Sequence, residues 1–299
     1  MHNSEKIHII FGKPGNPFWQ RMLEGFETHA VRLDFEVQGF FPDKGRDDAQ
    51  LKLLIEAVES DADLIIVNPN TVNNLMPGLQ YATKKNKLII DLGGKVDEDE
   101  AKQKKIRYYP VRTVNFREQG AIAAQFLQEE LPTGSGVALI LGLLKSKQSI
   151  GRASGFEEEI KRKGVLRLVD RIYADFDATL AAKRTNLLLQ RHTDPALMGI
   201  FCVNDAMALS TALKVKEAGK DQDIKVVGVD GIDEALAAIK EGWLSATVAF
   251  SPSEVAKGIL DCASLLLRGE KVPSDINVPS RLVKKGDIEK GYQSIQQPV

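Results

Sequence analysis

The sequence predicts an α/β protein of two doubly wound parallel-sheet lobes joined by a multi-strand hinge, and three observations carry that expectation. The chain has 299 residues, beyond the size at which a single hydrophobic core keeps growing, so two lobes of ordinary domain size are the natural division. Short apolar runs alternate with stretches of helical periodicity, the pattern of βαβ units and parallel sheets. The alternation changes near Tyr108–Asn115 and then starts again, which sets one lobe after the other.

The elements follow in order. Strand-like runs are expected at Ile7–Phe11, Phe35–Phe40, Leu64–Val67 and Leu88–Ile90, then at Val137–Leu141, Arg171–Ala174, Gly199–Val203, Val226–Val229 and Ala246–Ala249. Several are apolar throughout, which suits strands covered on both faces. Phe18, Met22, Gly25, Phe26 and His29 recur at helical spacing, so Phe18–Ala30 reads as an amphipathic helix. Asp47–Val58 reads the same way, with Leu51, Leu54, Ile55 and Val58 on one stripe. After Ser251 come a further helix at Glu254–Leu267, a turn region, and a last extended run at Ser280–Lys284. That tail is long enough to cross back. The expected lobes are therefore interwoven, 1–112 with 251–279 and 113–250 with 280–299.

Composition removes several classes of function. Lys+Arg total 40 against Asp+Glu 41, a net charge of −1, so there is no surplus to neutralise phosphates and no nucleic acid partner is expected. The longest apolar runs, such as Leu64–Val67 and Val137–Leu144, fall far short of the roughly 20 residues a membrane helix needs. Cys202 and Cys262 lie in apolar runs, where a thiol behaves as a small hydrophobe and says little about compartment. No charged-then-apolar segment precedes the run at Lys6–Phe11, so the expectation is either a cytoplasmic chain or one whose secretory signal has been removed.

Catalysis finds little support. The histidines His2, His8, His29 and His192 show no metal-ligand spacing. The loop Gly12-Lys13-Pro14-Gly15 lacks the spacing of a P-loop, and the dinucleotide glycine signature is absent. Asp91 and Asp230 could in principle form an acid/base pair, but ligand binding explains them with fewer assumptions. A non-enzyme without metal or cofactor is expected.

In open α/β sheets ligands bind outside the carboxyl ends of the strands. There this chain places Asn68, Asp91, Asn204-Asp205 and Asp230, and its first strand leads through Gly12–Pro17 to Phe18 and Trp19. Each Asn or Asp has a plainer role as a helix N-cap, yet together they mark one edge of both lobes. Their oxygens accept hydrogen bonds from hydroxyls, while asparagine amides and Arg152 donate to them. Phe18, Trp19 and Phe176 offer flat apolar area for the C–H face of a sugar ring. A hydroxyl-rich ligand fits this set.

Six segments then carry a family likeness: Asn16-Pro17-Phe18-Trp19, Ile65–Pro69, Arg152–Phe156, Ala174–Asp177, Cys202–Leu209 and Val227–Gly231. In this order across nearly the whole chain, they resemble the ribose-binding-protein-like type I periplasmic binding proteins, and Ala246–Ala249 resembles a crossing between the lobes. The resemblance implies ligand contacts from Asn16, Phe18, Trp19, Asn68 and Asp91 in the first lobe, from Arg152, Phe176, Asn204 and Asp230 in the second, and from Phe250 at the hinge. It implies a monomeric extracytoplasmic (periplasmic) solute-binding protein that closes on a sugar or sugar-like ligand in an interlobe cleft and delivers it to an ABC permease. Two alternatives stand beside it: a periplasmic sensor, for a furanosyl signal for instance, feeding a histidine kinase, and the excised effector domain of a LacI-type repressor. A whole repressor is excluded, because a helix-turn-helix of about 60 residues would precede the first strand.

Two positions depart from the ribose pattern. Leu92 stands where an arginine would follow Asp91, and Phe250 stands where a glutamine would reach the ligand. Both remove hydrogen-bonding capacity, so the expected ligand is smaller, less hydroxylated or bound more by stacking than ribose, and free ribose is expected to bind weakly or not at all. Replacing Asp230 or Arg152 by alanine is expected to weaken binding and leave the fold intact.

Overall fold

Apolar residues that are covered on both faces form the central strands of each sheet, and the amphipathic stretches between them form the covering helices. The structure, a computed structural model, describes residues 4–43, 46–192 and 197–292. It divides into two compact units, one of the described residues within 1–114 and 251–278, the other of those within 115–250 and 279–297.

In the first unit the strands are β1 (Glu5–Ile10), β2 (Phe35–Phe40), β3 (Leu64–Val67), β4 (Leu88–Leu92) and β5 (Tyr109–Val111), and the helices are α1 (Pro17–Leu33), α2 (Asp47–Glu59), α3 (Met76–Lys84) and α4 (Glu98–Gln103). The second unit holds α5 (Phe116–Glu130), β6 (Gly136–Leu141), α6 (Lys147–Lys163), β7 (Arg167–Tyr173), α7 (Ala178–Arg191), β8 (Gly199–Cys202), α8 (Asp205–Glu217), β9 (Lys225–Asp230), α9 (Asp233–Glu241) and β10 (Ala246–Ala249). The chain then returns to the first unit for α10 (Pro252–Leu267) and to the second for β11 (Arg281–Lys284) and α11 (Lys285–Glu289).

The first sheet runs β2-β1-β3-β4-β5, parallel throughout; the second runs β11-β10-β9-β8-β6-β7, parallel except for β11. Each order reverses once, between β1 and β3 and between β6 and β8. These reversals are the topological switch points, outside whose carboxyl ends α/β proteins bind ligands.

Three local expectations need correction. Strand β7 begins at Arg167, ahead of the apolar run at Arg171, because it is an edge strand whose Arg167, Asp170 and Arg171 hide it from a search for apolar residues. Strand β5 was not foreseen; with three residues, one of them Pro110, it is tolerated only at the edge of the sheet, where a missing donor does no harm. On α2 the inward stripe is Gln50, Leu54, Ala57 and Val58, and Ile55 is exposed. Gln50 turns inward because its amide donates to the carbonyls of Phe11 and Asn68, both at 2.8 Å, tying α2 to the ends of β1 and β3.

Glycines allow the closest helix contacts. Gly25 on α1 lies where a Cβ would come 3.0 Å from the Cα of Ser253 on α10. The crossing of α5 and α6 is tighter, since a Cβ at Gly120 would overlap the Arg152 carbonyl and one at Gly155 would overlap the Arg117 carbonyl. Neither backbone can yield without parting the helices. Gly155→Ala is therefore expected to lower unfolding stability by about 2–3 kcal/mol or more. Urea unfolding followed by circular dichroism measures this, and a loss below about 0.5 kcal/mol would show that the crossing is not tight.

Candidate functional site

At the carboxyl edge of the first sheet, the loop after β1 ends at Asn16, whose Oδ1 accepts from the Phe18 amide at 3.0 Å and starts α1. Phe18 is buried, and Trp19 stands edge-on to it with ring centroids 5.1 Å apart while tilting toward Phe11 at 6.2 Å. Asn68, at the end of β3, is buried and accepts from the Lys95 ammonium through its side-chain Oδ1. That ammonium also lies over the Trp19 ring, 5.0 Å from its centroid. Asp91 is fully buried in β4, and its Oδ2 accepts from the Val96 amide at 2.9 Å. This contact closes the loop in which Gly93 and Gly94 adopt left-handed conformations and Lys95 is delivered to Asn68.

At the carboxyl edge of the second sheet, Arg152 of α6 is only 2% exposed. Its Nε donates to Gln119 Oε1 at 2.8 Å, one terminal nitrogen donates to the Val203 carbonyl at 2.6 Å, and the other meets Asp230 Oδ1 at 3.4 Å. Burial pulls the guanidinium pKa down, and the carboxylates of Asp230 and Asp205 hold it up. Asp230 ends β9 with φ at 128°, and Phe176, after β7, has φ at 56°. Both values are costly for residues with a side chain, about 1–3 kcal/mol each, and such strain concentrates where function fixes the backbone. The Phe176 ring covers Gly142 so closely that a Cβ there would overlap it. Asn204 is buried and caps α8, accepting from the Met207 amide at 3.1 Å, while Phe250, buried, follows β10.

The structure thus places Asn16, Phe18, Trp19, Asn68 and Asp91 along the first edge, and Arg152, Phe176, Asn204, Asp230 and Phe250 along the second. Capping accounts for the side-chain oxygens of Asn16 and Asn204; those of Asn68, Asp91 and Asp230 serve other partners. Arg152 is held by structural contacts. Removing it takes a buried donor from three acceptors at once, so Arg152→Ala is expected to destabilise the fold as well, beyond the loss of binding that the sequence suggests.

Sequence reasoning missed Lys95 and Gln119 and placed Asp205 at the edge without its role. Lys95 brings a cation to an edge that Leu92 had made look apolar, and its position two glycines into the loop after β4 is the signal that could have found it. Gln119 left no signal, because only the α5–α6 crossing brings a mid-helix glutamine to Arg152. Asp205 stood next to Asn204 and reads as a cap, yet it is wholly buried and accepts from the Gly231 amide at 2.7 Å, the Ile232 amide at 3.0 Å and the Thr247 hydroxyl at 2.7 Å.

Among the described residues no three His, Cys, Asp or Glu side chains gather as a metal site, and no helix is long and apolar enough to cross a membrane. His2 lies outside the described residues. Burial pushes the Cys202 thiol up to about 12 and the Cys262 thiol up to about 11, so neither is a ready nucleophile at neutral pH.

A family model described as a periplasmic binding protein domain matches residues 7–271. The D-allose-binding periplasmic protein of Escherichia coli K12 is 32% identical over 270 residues, 89% of this chain and 86% of that protein. The ribose import binding protein RbsB of Bacillus subtilis 168 is 30% identical over 268 residues, 89% of this chain and 83% of its own length. Among solved structures, a solute-binding protein of an Actinobacillus succinogenes ABC transporter with bound D-allose superposes with a TM-score of 0.87 at 23% identity, over 96% of this chain and all of that one. At that identity the likeness is one of fold.

The electrostatics of the second edge give a pH dependence. Burial, and after it the neighbouring Asp230 carboxylate, push Asp205 up to about 7 against the pull of its three donors. In the unfolded chain the same group titrates near about 4. Between these values the folded protein holds the extra proton, so Asp205 makes stability fall as pH rises from about 4 to about 7, with no further change above. Thermal unfolding of the wild type is expected to decline across that window more steeply than that of Asp205→Asn. Parallel curves would show that Asp205 does not titrate there.

Proposed function

This chain belongs to the periplasmic binding protein family, and from that premise we propose that it captures a monosaccharide outside the cytoplasm and hands it to the permease of an ABC importer. The observation that carries the reading is the buried Arg152–Asp230 pair at the carboxyl edge of the second sheet, braced by Gln119. Neighbouring hydroxyls of a sugar need an acceptor beside a donor; Asp230 accepts from one while Arg152 donates to the next. Trp19 and Phe18 supply ring faces, and Lys95 with Asn68 supplies polar contacts on the first edge. Binding is the whole of the chemistry, since hydroxyl recognition needs no nucleophile, metal or cofactor.

The sugar is proposed to be a hexose of the D-allose type. Relatives at about one-third identity include a D-allose-binding protein and a ribose import protein. The relative of higher identity, at 32%, binds D-allose, and the apolar Phe250 and Leu92 are expected to weaken D-ribose. Calorimetry is expected to give micromolar or tighter binding of D-allose, with D-ribose at least about tenfold weaker. Asp230→Ala should weaken D-allose binding by about 2 kcal/mol or more. Failure of every common monosaccharide to bind would overturn the sugar reading, and ribose binding more tightly than allose would overturn the choice of hexose.

A further inference from the structure

Asp205 is a fully buried carboxylate that the proposed ligand recognition does not use. It opens α8, and its side chain reaches across to the segment that follows β9. Oδ2 accepts from two consecutive backbone amides, Gly231 and Ile232, at 2.7 and 3.0 Å, and Oδ1 accepts from the Thr247 hydroxyl at 2.7 Å. Thr247 lies on β10, and its oxygen also takes the Gly231 amide at 3.3 Å. Gly228 leaves the room, since a Cβ there would overlap Asp205 Oδ1. The carboxylate therefore ties α8, the end of β9 and β10 together at one point.

The residue immediately before the two captured amides is Asp230, whose φ of 128° is a conformation that side chains rarely adopt. Strained backbone persists only where its surroundings over-determine it. Asp205 supplies that constraint. Released from it, residues 230–232 relax toward ordinary φ and the Asp230 carboxyl swings from its place beside Arg152. An N-cap role does not require these contacts, because Asn204 already caps the helix.

We propose that Asp205 is a positioning residue that locks Asp230 in its binding conformation by capturing the Gly231 and Ile232 amides. This rests on the sugar-binding reading for its effect on affinity, and on the hydrogen bonds alone for its effect on the backbone. Asparagine can reproduce the pattern, with its Oδ1 accepting from the two amides and its Nδ2 donating to Thr247, whereas alanine cannot.

The test compares wild type, Asp205→Ala and Asp205→Asn in the full chain, with D-allose as probe. Asp205→Ala is expected to speed hydrogen exchange of the Gly231 and Ile232 amides by at least about tenfold and to weaken D-allose binding by at least about thirtyfold. Asp205→Asn should restore both to within about threefold of wild type. A merely structural role would lower the unfolding temperature of Asp205→Ala and leave its affinity unchanged; that result, or unchanged amide exchange, overturns the proposal. Should Asp205→Ala not fold, Thr247→Val decides by the same two readouts, with a smaller loss expected and no change in either overturning the proposal. If wild type binds no sugar, the transport reading fails, and amide exchange alone still decides whether Asp205 holds the segment.

Discussion

A guanidinium cannot be buried without acceptors, and much of the second unit is arranged to supply them to Arg152. Each acceptor comes from a different element: Gln119 from α5, the Val203 carbonyl from the end of β8, and Asp230 from the end of β9. The glycines of the α5–α6 crossing bring the first of these within reach. Breaking a buried pair of this kind costs about 3–5 kcal/mol, far more than an exposed ion pair contributes. The arrangement is thus a structural constraint first, and in the proposed reading it is also what a sugar meets.

The same edge carries two residues at positive φ, Phe176 and Asp230, and two glycines that leave room for neighbouring side chains, Gly142 under the Phe176 ring and Gly228 under Asp205. Positive φ also occurs at Asp34, Asn86, Lys105, Asp175 and Asn277, and Asp230 departs from all of these with φ at 128°. In the proposed reading, a backbone held in that conformation before binding spares the sugar the cost of ordering it. The first edge is prepared differently: Lys95 links Asn68 to the Trp19 face, and Asp91 closes the loop that presents it.

The fold was largely legible because the central strands are apolar throughout, from Leu64–Val67 to Gly199–Cys202, and two-sided burial leaves that trace in any sequence. Edge strands β5 and β7 were obscured by proline and by charge, since an edge need satisfy only one neighbour. The candidate site positions were legible where a residue closes a strand or follows it directly, as Asp230 and Asn68 do. It was illegible where a contact depends on how helices cross. Nothing around Gln119 in the sequence points to Arg152, and nothing around Asp205 announces that its carboxylate captures amides about 25 residues away.

If the carboxyl-edge residues recognise a sugar as proposed, the chain holds one monosaccharide. Native mass spectrometry of the chain mixed with D-allose tests it most directly, run beside Asp230→Ala and with D-ribose as the competing sugar. A complex of one protein and one D-allose is expected, surviving competition by D-ribose and lost in Asp230→Ala. A wild-type chain that forms no complex with D-allose, or an Asp230→Ala variant that binds it as well as wild type does, would contradict it.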